Sequence, residues 1–237
     1  MEQKEMIYEG KAKKVYATDH PDYVIVDYKD DATAFNGLKK GTIAGKGAVN
    51  NRMSNAMMAN LEEAGVPTHF VQELDDRRTL VKKVSIVPLE VIVRNKAAGS
   101  FSKRLGIKEG TPLLCSTLEF SYKDDDLGDP LINSYMAKAI GAATQEDIDT
   151  ITKYAFMVND YMKNFFDKLG IELIDFKLEF GKTNDGTIVL ADEISPDTCR
   201  FWDKETGDHL DKDRFRRDLG DPEGAYKEMF VRMGLDK

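Results

Sequence analysis

Cysteine, histidine and tryptophan are rare in this chain of 237 residues, and long apolar runs are missing. Cys115 and Cys199 are the only cysteines and neither lies in a Cys-x-x-Cys pair, so we expect reduced thiols in a cytoplasmic protein. The three histidines are scattered, which disfavours zinc chemistry and a serine or cysteine nucleophile with a histidine base. No apolar run reaches the length of a membrane span and the N-terminus lacks a signal-peptide core, so we expect no membrane partner.

Charged residues are abundant and unbalanced, with 42 acidic against 34 basic side chains and a net charge of -8. This surplus of negative charge disfavours nucleic acid as the main partner. Because 41% of the residues are hydrophobic, the chain has ample material for the core of one large domain or two small ones.

The first third of the sequence is predicted to be rich in β-strands, with candidates at residues 6–8, 14–17 and 23–28. Apolar residues then recur at helical spacing over residues 49–64. Residues 79–93 alternate as strands do, but Pro88 lacks the backbone N–H that a ladder requires. We therefore expect two strands with a break near Val87-Pro88, and a junction between lobes of residues 1–87 and 88–237.

The remaining helices are indicated by their end signals. Residues 97–105 form a short candidate, and Thr144 with Asp147 resembles the capping box that opens a long helix, which Gly170 ends. Asp211 and Asp221-Pro222 each look like a helix start.

Residues 171–203 contain the strongest chemical signal. Apolar and charged residues alternate there, so Asp175, Lys177 and Glu179 share one face of a strand. Asp185-Gly186 predicts a tight turn, and a two-residue loop would place Glu179 directly opposite Asp192. Like charges repel at such a pair, and Mg²⁺ held with a nucleotide would turn it into a metal site. The alternative is a half-exposed hairpin with a solvated charged face.

Residues 8–16 place a small-residue turn with three lysines between two strand candidates. Gly10 and Ala12 would let the backbone approach a ligand closely, so that N–H groups and lysine ammonium groups meet phosphate oxygens. A basic surface hairpin is the alternative.

Two further segments could hold an anion. Arg94 and Ser100 lie between a strand and a helix, which suits a phosphate seat as well as an ordinary helix cap. Arg200 could clamp a carboxylate or phosphate in bidentate fashion, or form a structural ion pair with Asp197 or Asp203. Residues 211–217 are charge-rich and are interpreted as a solvated helix face unless they border the cleft.

Together these segments resemble the SAICAR synthetase (phosphoribosylaminoimidazole-succinocarboxamide synthase) family. The matching blocks are YEGKAKKVY at 8–16, DDATAFNG at 30–37, GKGAVNN at 45–51, VRNKAAGS at 93–100, DFKLEFG at 175–181, DEISPDTCRFWD at 192–203 and DKDRFRRDLG at 211–220. They occur in order across nearly the whole chain, which is far more specific than any single motif.

The resemblance implies a ligase of de novo purine biosynthesis that joins L-aspartate to 5-aminoimidazole-4-carboxylate ribonucleotide (CAIR), using ATP and Mg²⁺. It implies an α+β, two-lobed fold related to kinases and ATP-grasp proteins, with a β-rich N-terminal lobe and a larger C-terminal lobe that contains an antiparallel sheet. ATP is expected between the lobes. A homodimer in the cytoplasm is also implied.

The resemblance assigns site residues as follows. The residues expected to bind ATP are Lys11, Ala12, Lys13, Val15, Val81, Lys82, Ile86, Lys123, Leu178 and Glu179. The expected Mg²⁺ ligands are Glu179 and Asp192. The residues expected to bind CAIR are Arg94, Ser100 and Arg200, with Asp129, Asp175 and Lys177 as weaker candidates. Thr33 and Asn36 are further candidates for polar contacts with substrate.

Position 36 departs from the family pattern, because some members have aspartate where this chain has Asn36. Asparagine keeps hydrogen bonding but not the charge of a direct metal ligand. The rival classes are a kinase and a non-catalytic nucleotide-binding module. The His-Arg-Asp and Asp-Phe-Gly kinase signatures are absent from the sequence, which disfavours the first rival. The second would not need the paired acids and an arginine clamp together.

Overall fold

The computed structural model describes residues 1–34 and 37–236. The strands are β1 (Gln3–Glu9), β2 (Lys13–Thr18), β3 (Tyr23–Tyr28), β4 (Asp31–Ala34), β5 (Lys39–Thr42), β6 (Phe70–Glu73), β7 (Arg78–Lys82), β8 (Ser85–Lys96), β9 (Pro112–Tyr122), β10 (Leu131–Ile132), β11 (Ile171–Lys182), β12 (Ile188–Ala191) and β13 (Cys199–Asp203). The helices are α1 (Lys46–Glu63), α2 (Gly99–Leu105), α3 (Ser134–Ala139), α4 (Gln145–Asp167), α5 (Asp213–Arg216) and α6 (Pro222–Arg232). Within these ranges, no helix is both long and apolar enough to cross a membrane.

Two antiparallel sheets organise these elements. The first has the strand order β1-β2-β3-β7-β6. The second has the order β10-β9-β8-β11-β12, and β13 pairs with β11 beyond the end of β12. A small hairpin of β4 and β5 completes the strands. The predicted α+β class with an antiparallel sheet is confirmed.

The main hydrophobic core lies between the second sheet and helices α1 and α4. Met53 and Met57 of α1 and Ile151 and Phe166 of α4 are fully buried in it. The predicted capping box is present: Asp147 N–H donates to Thr144 Oγ1 at 3.1 Å, and Thr144 N–H donates to the Asp147 carboxylate at 2.9 Å. This helix start follows from local sequence, and its apolar stripe packs on the sheet that carries the site.

The predicted strand break at Val87-Pro88 is wrong. β8 continues through Pro88, and the chain leaves the first sheet at Lys82 and enters the second at Ser85. Proline is tolerated because the ladder with β11 is irregular there: Glu90 pairs with Glu179, but Ile86 pairs with Gly181. The division into lobes at residues 87 and 88 remains a prediction.

Residues 67–69 tie the two sheets together. Leu190 N–H donates to the Pro67 carbonyl and His69 N–H donates to the Leu190 carbonyl, both at 2.8 Å. On the other side, Lys82 N–H donates to the His69 carbonyl at 2.7 Å. One short segment is thus bonded to β12 and to β7, which fixes the walls of the space between the sheets.

Candidate active site

The hairpin of β11 and β12 differs from its predicted register by one residue. Glu179 pairs with Ala191, not Asp192, because residues 183–187 form the turn and Lys182 pairs with Ile188. Within that turn, Thr183 N–H donates to the Thr187 carbonyl at 3.0 Å. The direct pairing of Glu179 with Asp192 is therefore wrong, since a five-residue loop replaces the two-residue loop.

The two carboxylates nevertheless meet at one cation. The Lys177 ammonium lies 2.5 Å from Glu179 and 3.1 Å from Asp192. Asp192 follows the end of β12 in a left-handed conformation, with φ of 59°. This conformation is uncommon for a residue with a side chain and turns Asp192 toward Lys177.

Other lysines complete a dense charge cluster. Lys13 lies 2.5 Å from Asp192 and 3.4 Å from Glu193, and Lys123 lies 3.1 Å from Glu179. Burial raises the pKa of Asp192, but Lys13 and Lys177 outweigh burial and hold it well below its usual range. Burial lowers the pKa of Lys13, and Asp192 and Glu193 outweigh it, so the net shift is upward. The Asp192 carboxylate and the Lys13 ammonium are therefore charged at neutral pH.

An apolar cavity of about 520 Å³ opens between the sheets next to this cluster. Its walls include Val15, Val24, Val26, Val81 and Ile86. Its other end is charged, and the residues there are Lys13, Lys123, Glu179 and Asp192. Flat apolar walls suit a heterocyclic base, while lysines and carboxylates suit phosphates with a divalent cation.

The structure brings seven of the ten residues predicted to bind ATP to the apolar cavity: Lys13, Val15, Val81, Lys82, Ile86, Lys123 and Glu179. Lys11 lines neighbouring cavities and pairs with Asp125 at 2.6 Å. The Ala12 carbonyl accepts a hydrogen bond from Lys29 N–H at 2.8 Å. Leu178 does not line the apolar cavity. It lies in the main core, because neighbours on a strand point to opposite faces and Glu179 faces the cavity.

His69 also lines the apolar cavity, although sequence reasoning had given it no role. Burial lowers its pKa to about 3, and the nearby Lys13 ammonium contributes to the shift. The imidazole is thus neutral at physiological pH.

A second, cationic cavity of about 360 Å³ adjoins the charge cluster on the other side. Six basic side chains line it: Lys11, Arg94, Lys177, Arg200, Lys212 and Arg216. Thr33 and Asp175 are also part of its wall. A pocket with this excess of positive charge suits a small anion that carries phosphate or carboxylate groups.

Asp175 joins the two predicted substrate arginines. Arg94 donates to Asp175 at 2.7 Å and Arg200 donates to it at 3.0 Å. Arg94 also donates to Ser100 Oγ at 3.2 Å, while Arg200 donates to Asp213 at 2.9 Å. Burial lowers the pKa of Arg200, but the two aspartates outweigh burial and raise it overall. The carboxylates of Asp175 and Asp213 thus fix the positions of the two guanidinium groups.

Three other residues that were predicted to contact substrate have different outcomes. Asp129 accepts a hydrogen bond from Asp124 N–H at 3.0 Å and stabilises the loop after β9, and it does not line either cavity. Ser100 is the second residue of α2, and the N-cap is Ala98, so Ser100 is not the cap of this helix. Asn36 lies outside the described residues.

Sequence reasoning missed the contribution of residues 211–217. Lys212 and Arg216 line the cationic cavity instead of a solvated face. Lys212 is held by Asp197 at 3.2 Å, and the fully buried Lys46 reaches the same carboxylate at 2.9 Å. The sequence shows that this helix start is rich in charged residues, but it does not show which way their side chains point. That direction depends on Asp197 and Lys46 from distant segments.

The comparisons with known proteins agree with this geometry. The SAICAR synthetase family profile matches residues 6–233. A phosphoribosylaminoimidazole-succinocarboxamide synthase from Lachnoclostridium phytofermentans is 67% identical over 236 residues, which cover 100% of each chain. A solved structure of that synthase from Ehrlichia chaffeensis has a TM-score of 0.95 and 44% identity, covering 97% of this chain and 98% of the other. A SAICAR synthetase in complex with ADP has a TM-score of 0.94 and 50% identity, with the same coverage.

The two-sheet fold, with an apolar and a cationic cavity meeting at a charge cluster, is that of an ATP-dependent ligase. The chain belongs to the SAICAR synthetase family. Its reaction is the joining of L-aspartate to CAIR in purine biosynthesis, with ATP converted to ADP and phosphate.

Proposed function

We propose that ATP occupies the apolar cavity and CAIR the cationic cavity, so that the two substrates meet at Lys177. The observation that carries this assignment is the position of the Lys177 ammonium, which contacts both Glu179 and Asp192 at the junction of the cavities. The ADP complex of a 50% identical relative supports a nucleotide site in this fold.

The adenine packs between Val15 and Val81, and residues 82–87 offer backbone groups to its edge. Lys13, with Lys11 and the backbone near Ala12, holds the phosphates. Lys11 reaches them after releasing Asp125, and Lys123 approaches the nucleotide from the loop after β9. The cavity that Lys13, Val15, Val81 and Lys123 line together supports their roles, and the roles of Lys11 and Ala12 rest on the family resemblance.

Mg²⁺ fits the donor set at the junction. Glu179 and Asp192 are oxygen donors of the kind that Mg²⁺ prefers, and they already converge on a cation, the Lys177 ammonium. When bound, Mg²⁺ would supply positive charge to the phosphate oxygens of ATP. Glu179 and Asp192 would hold it.

CAIR is held by cationic groups on both sides of its cavity. Arg200 receives its anionic groups, and Ser100, which lines a neighbouring cavity together with Arg200, extends the site on that side. Arg94 adds positive charge while it orients Ser100 and Asp175. Asp175 keeps the arginines in place and Lys177 faces the reacting carboxylate. Thr33 lines this cavity and is a further contact within this proposal, whereas Asp129 lies outside its lining and receives no contact role. The role of Asn36 rests on the family resemblance alone.

The reaction proceeds in two displacements. A CAIR carboxylate oxygen attacks the γ-phosphorus of ATP, the bond to the bridging oxygen breaks, and ADP leaves with an acyl phosphate formed. Lys13 and Lys177 stabilise the charge on the transferring group by fixed position. The neutral aspartate amine then attacks the acyl carbon, the bond from the acyl carbon to the phosphate oxygen breaks, and the proton that the nitrogen loses goes to the leaving phosphate. Closure of the space between the sheets would keep water from the acyl phosphate.

Replacing Glu179 or Asp192 by alanine tests the assignment. Each variant is expected to lose nearly all turnover, measured as ADP release that depends on both CAIR and L-aspartate, while its circular dichroism spectrum stays native. Near-normal activity in both variants would contradict the metal assignment.

The family resemblance also supports a homodimer that works in the cytoplasm, while the division into lobes of residues 1–87 and 88–237 stays a prediction. Sedimentation equilibrium of the purified protein tests the oligomeric state, with a dimer mass expected. A monomer at micromolar concentration would contradict it.

A further inference from the structure

The second substrate carries a charge opposite to that of the cationic cavity. L-aspartate enters with an α-ammonium group, and this nitrogen must lie beside the activated CAIR carboxyl group and release one proton to solvent before it attacks. An ammonium group among lysines and arginines is repelled unless a carboxylate receives it. An acidic side chain of the cavity that protein cations do not already neutralise would offset this repulsion.

Among the described residues that line the cationic cavity, the carboxylates are Glu90, Asp175 and Asp197. Asp175 is 3% exposed and accepts hydrogen bonds from Arg94 and Arg200. Its oxygens already bind the two arginines, so its negative charge is neutralised within the protein.

Asp197 is neutralised as well. It accepts hydrogen bonds from Lys46 at 2.9 Å and from Lys212 at 3.2 Å, and the buried Tyr226 hydroxyl also donates to it. Burial raises the pKa of Asp197, but Lys212 and Lys46 outweigh burial and lower it overall, so its charge is balanced within the protein.

Glu90 differs from both. Within residues 1–34 and 37–236, its carboxylate accepts no side-chain hydrogen bond, and its ion-pair partner is Lys177 at 3.6 Å. That ammonium lies closer to Glu179, at 2.5 Å, and to Asp192, at 3.1 Å. The Glu90 side chain is 20% exposed, which leaves it open to a ligand in the cavity.

The position of Glu90 on the sheet places it where the substrates meet. It pairs directly with Glu179 across β8 and β11, and Glu179 lines the apolar cavity while Glu90 lines the cationic one. An ammonium group bound by Glu90 would thus lie at the boundary where the acyl phosphate forms.

We propose that Glu90 binds the α-ammonium group of L-aspartate and holds its nitrogen against the activated carboxyl group of CAIR. This inference rests on the proposed placement of ATP and CAIR. Glu90 acts by charge and position, and the two substrate carboxylates of L-aspartate are left to the cations of the same cavity.

The test uses Glu90→Gln, which keeps the shape of the side chain and removes its charge. We expect the KM for L-aspartate to rise about 10- to 100-fold, because a charge-assisted hydrogen bond is lost. The KM values for ATP and CAIR should stay within twofold. Succinate, which is aspartate without the amine, should inhibit the native enzyme and the variant with the same Ki.

Two further variants sharpen the result. Glu172→Gln removes a carboxylate from β11 that pairs with Lys96 at 2.7 Å and lines neither cavity, so its kinetics should match the native enzyme. Glu90→Asp keeps the charge on a shorter side chain and should have an intermediate KM for L-aspartate. A native-like melting temperature shows that each variant is folded.

An unchanged KM for L-aspartate in Glu90→Gln would overturn the proposal. So would a parallel loss of succinate affinity, or a higher requirement for Mg²⁺ with the KM for L-aspartate unchanged, because Glu90 would then serve the cavity or the metal and not the amine. The proposed placement of ATP and CAIR fails in a different way, namely if Glu179→Ala and Asp192→Ala retain native turnover.

Discussion

Glu90 and Glu179 lie directly opposite each other on the antiparallel strands β8 and β11, and the Lys177 ammonium contacts both, at 3.6 and 2.5 Å. Like charges at directly paired positions destabilise a sheet. Burial and the nearby Asp129 and Glu179 carboxylates favour the protonated form of Glu90, Lys177 opposes this, and the net result is a raised pKa. Lys177 thus balances the negative charge of a cluster that we propose binds a metal and an amine.

Lys177→Met is predicted to destabilise the protein through repulsion among these carboxylates. The variant leaves Glu90, Glu179 and Asp192 with less compensating charge, and the Lys177 side chain is only 24% exposed. We expect the free energy of unfolding to fall by about 1–3 kcal/mol in urea titrations without metal. Millimolar Mg²⁺ should raise the melting temperature of the variant more than that of the native protein.

The matched control is Lys204→Met, which removes an exposed pair with Asp167 at 2.6 Å. Its stability should change by less than about 0.5 kcal/mol, with no difference in the response to Mg²⁺. Equal effects of the two substitutions would show that the charge cluster around Lys177 has no special role.

Gly99→Ala is predicted to damage the CAIR site specifically. A Cβ at this position would overlap the Arg200 guanidinium, at 2.8 Å from Cζ, and φ is 53°, where a side chain is strained. Arg200 would be displaced from Asp175, so we expect the KM for CAIR to rise at least about tenfold, with the KM for ATP unchanged.

Gly106→Ala separates the two causes. Gly106 ends α2 with φ of 66°, and a Cβ there meets nothing within 4 Å. This variant should lose about 1 kcal/mol of stability through backbone strain and keep its KM for CAIR. If both variants alter the KM equally, displacement of Arg200 is not the cause.

Local sequence predicted those parts of the molecule that depend on neighbouring residues. The start of α4 follows from the Thr144–Asp147 capping box, and the shared face of Lys177 and Glu179 follows from strand alternation. The same alternation excludes Leu178 from the apolar cavity, although the family resemblance had placed it there. The hairpin register was missed because the length of a turn depends on bonds such as that of Thr183 with Thr187, which no dipeptide signal specifies.

The cationic cavity was harder to predict because it is assembled from distant segments. Lys212 lies in the cavity wall because Asp197 binds its ammonium, and Asp197 is itself held by Lys46 from a third part of the chain. No sequence motif marks Glu90, and its place at the site follows only from the pairing of β8 with β11. Contacts of this kind depend on tertiary structure, so a single sequence carries no local signal for them.

Asp125→Asn is predicted to strengthen ATP binding. Lys11 pairs with Asp125 across the mouth of the cavities, and both side chains are largely exposed, at 52% and 70%. Without the carboxylate, the ammonium is free for the triphosphate and one negative charge is removed from the entrance. We expect the KM for ATP to fall about two- to threefold at low salt and the difference to disappear near 0.5 M salt.

Asp126→Asn is the control, because this neighbour changes the net charge equally and forms no ion pair with Lys11. A fall in KM of the same size in both variants would assign the effect to net charge instead of the Lys11–Asp125 pair.

Asp211 is predicted to make stability depend on pH. Burial, followed by repulsion from Asp213, raises its pKa to about 7 from an ordinary 3.8. Between these pH values the folded state keeps a proton that the unfolded state has released. The stability that Asp211 contributes is therefore fully present below the unfolded pKa and is lost as the pH rises through about 7. For Asp211 alone, the free energy of unfolding should fall on the order of 2–3 kcal/mol from pH 5 to pH 8.

Asp211→Asn removes this titration while keeping a polar side chain near its partners, the N–H groups of Phe201 and Asp213. The variant is expected to lose stability at pH 5, where one of these hydrogen bonds is weakened, and to approach or exceed the native protein at pH 8. Urea titrations at pH 5, 6, 7 and 8 measure the difference in the free energy of unfolding between the native protein and the variant. Titratable groups that both proteins share contribute little to this difference. Parallel stability curves for the two proteins would show that Asp211 is ionised in the folded state throughout this range.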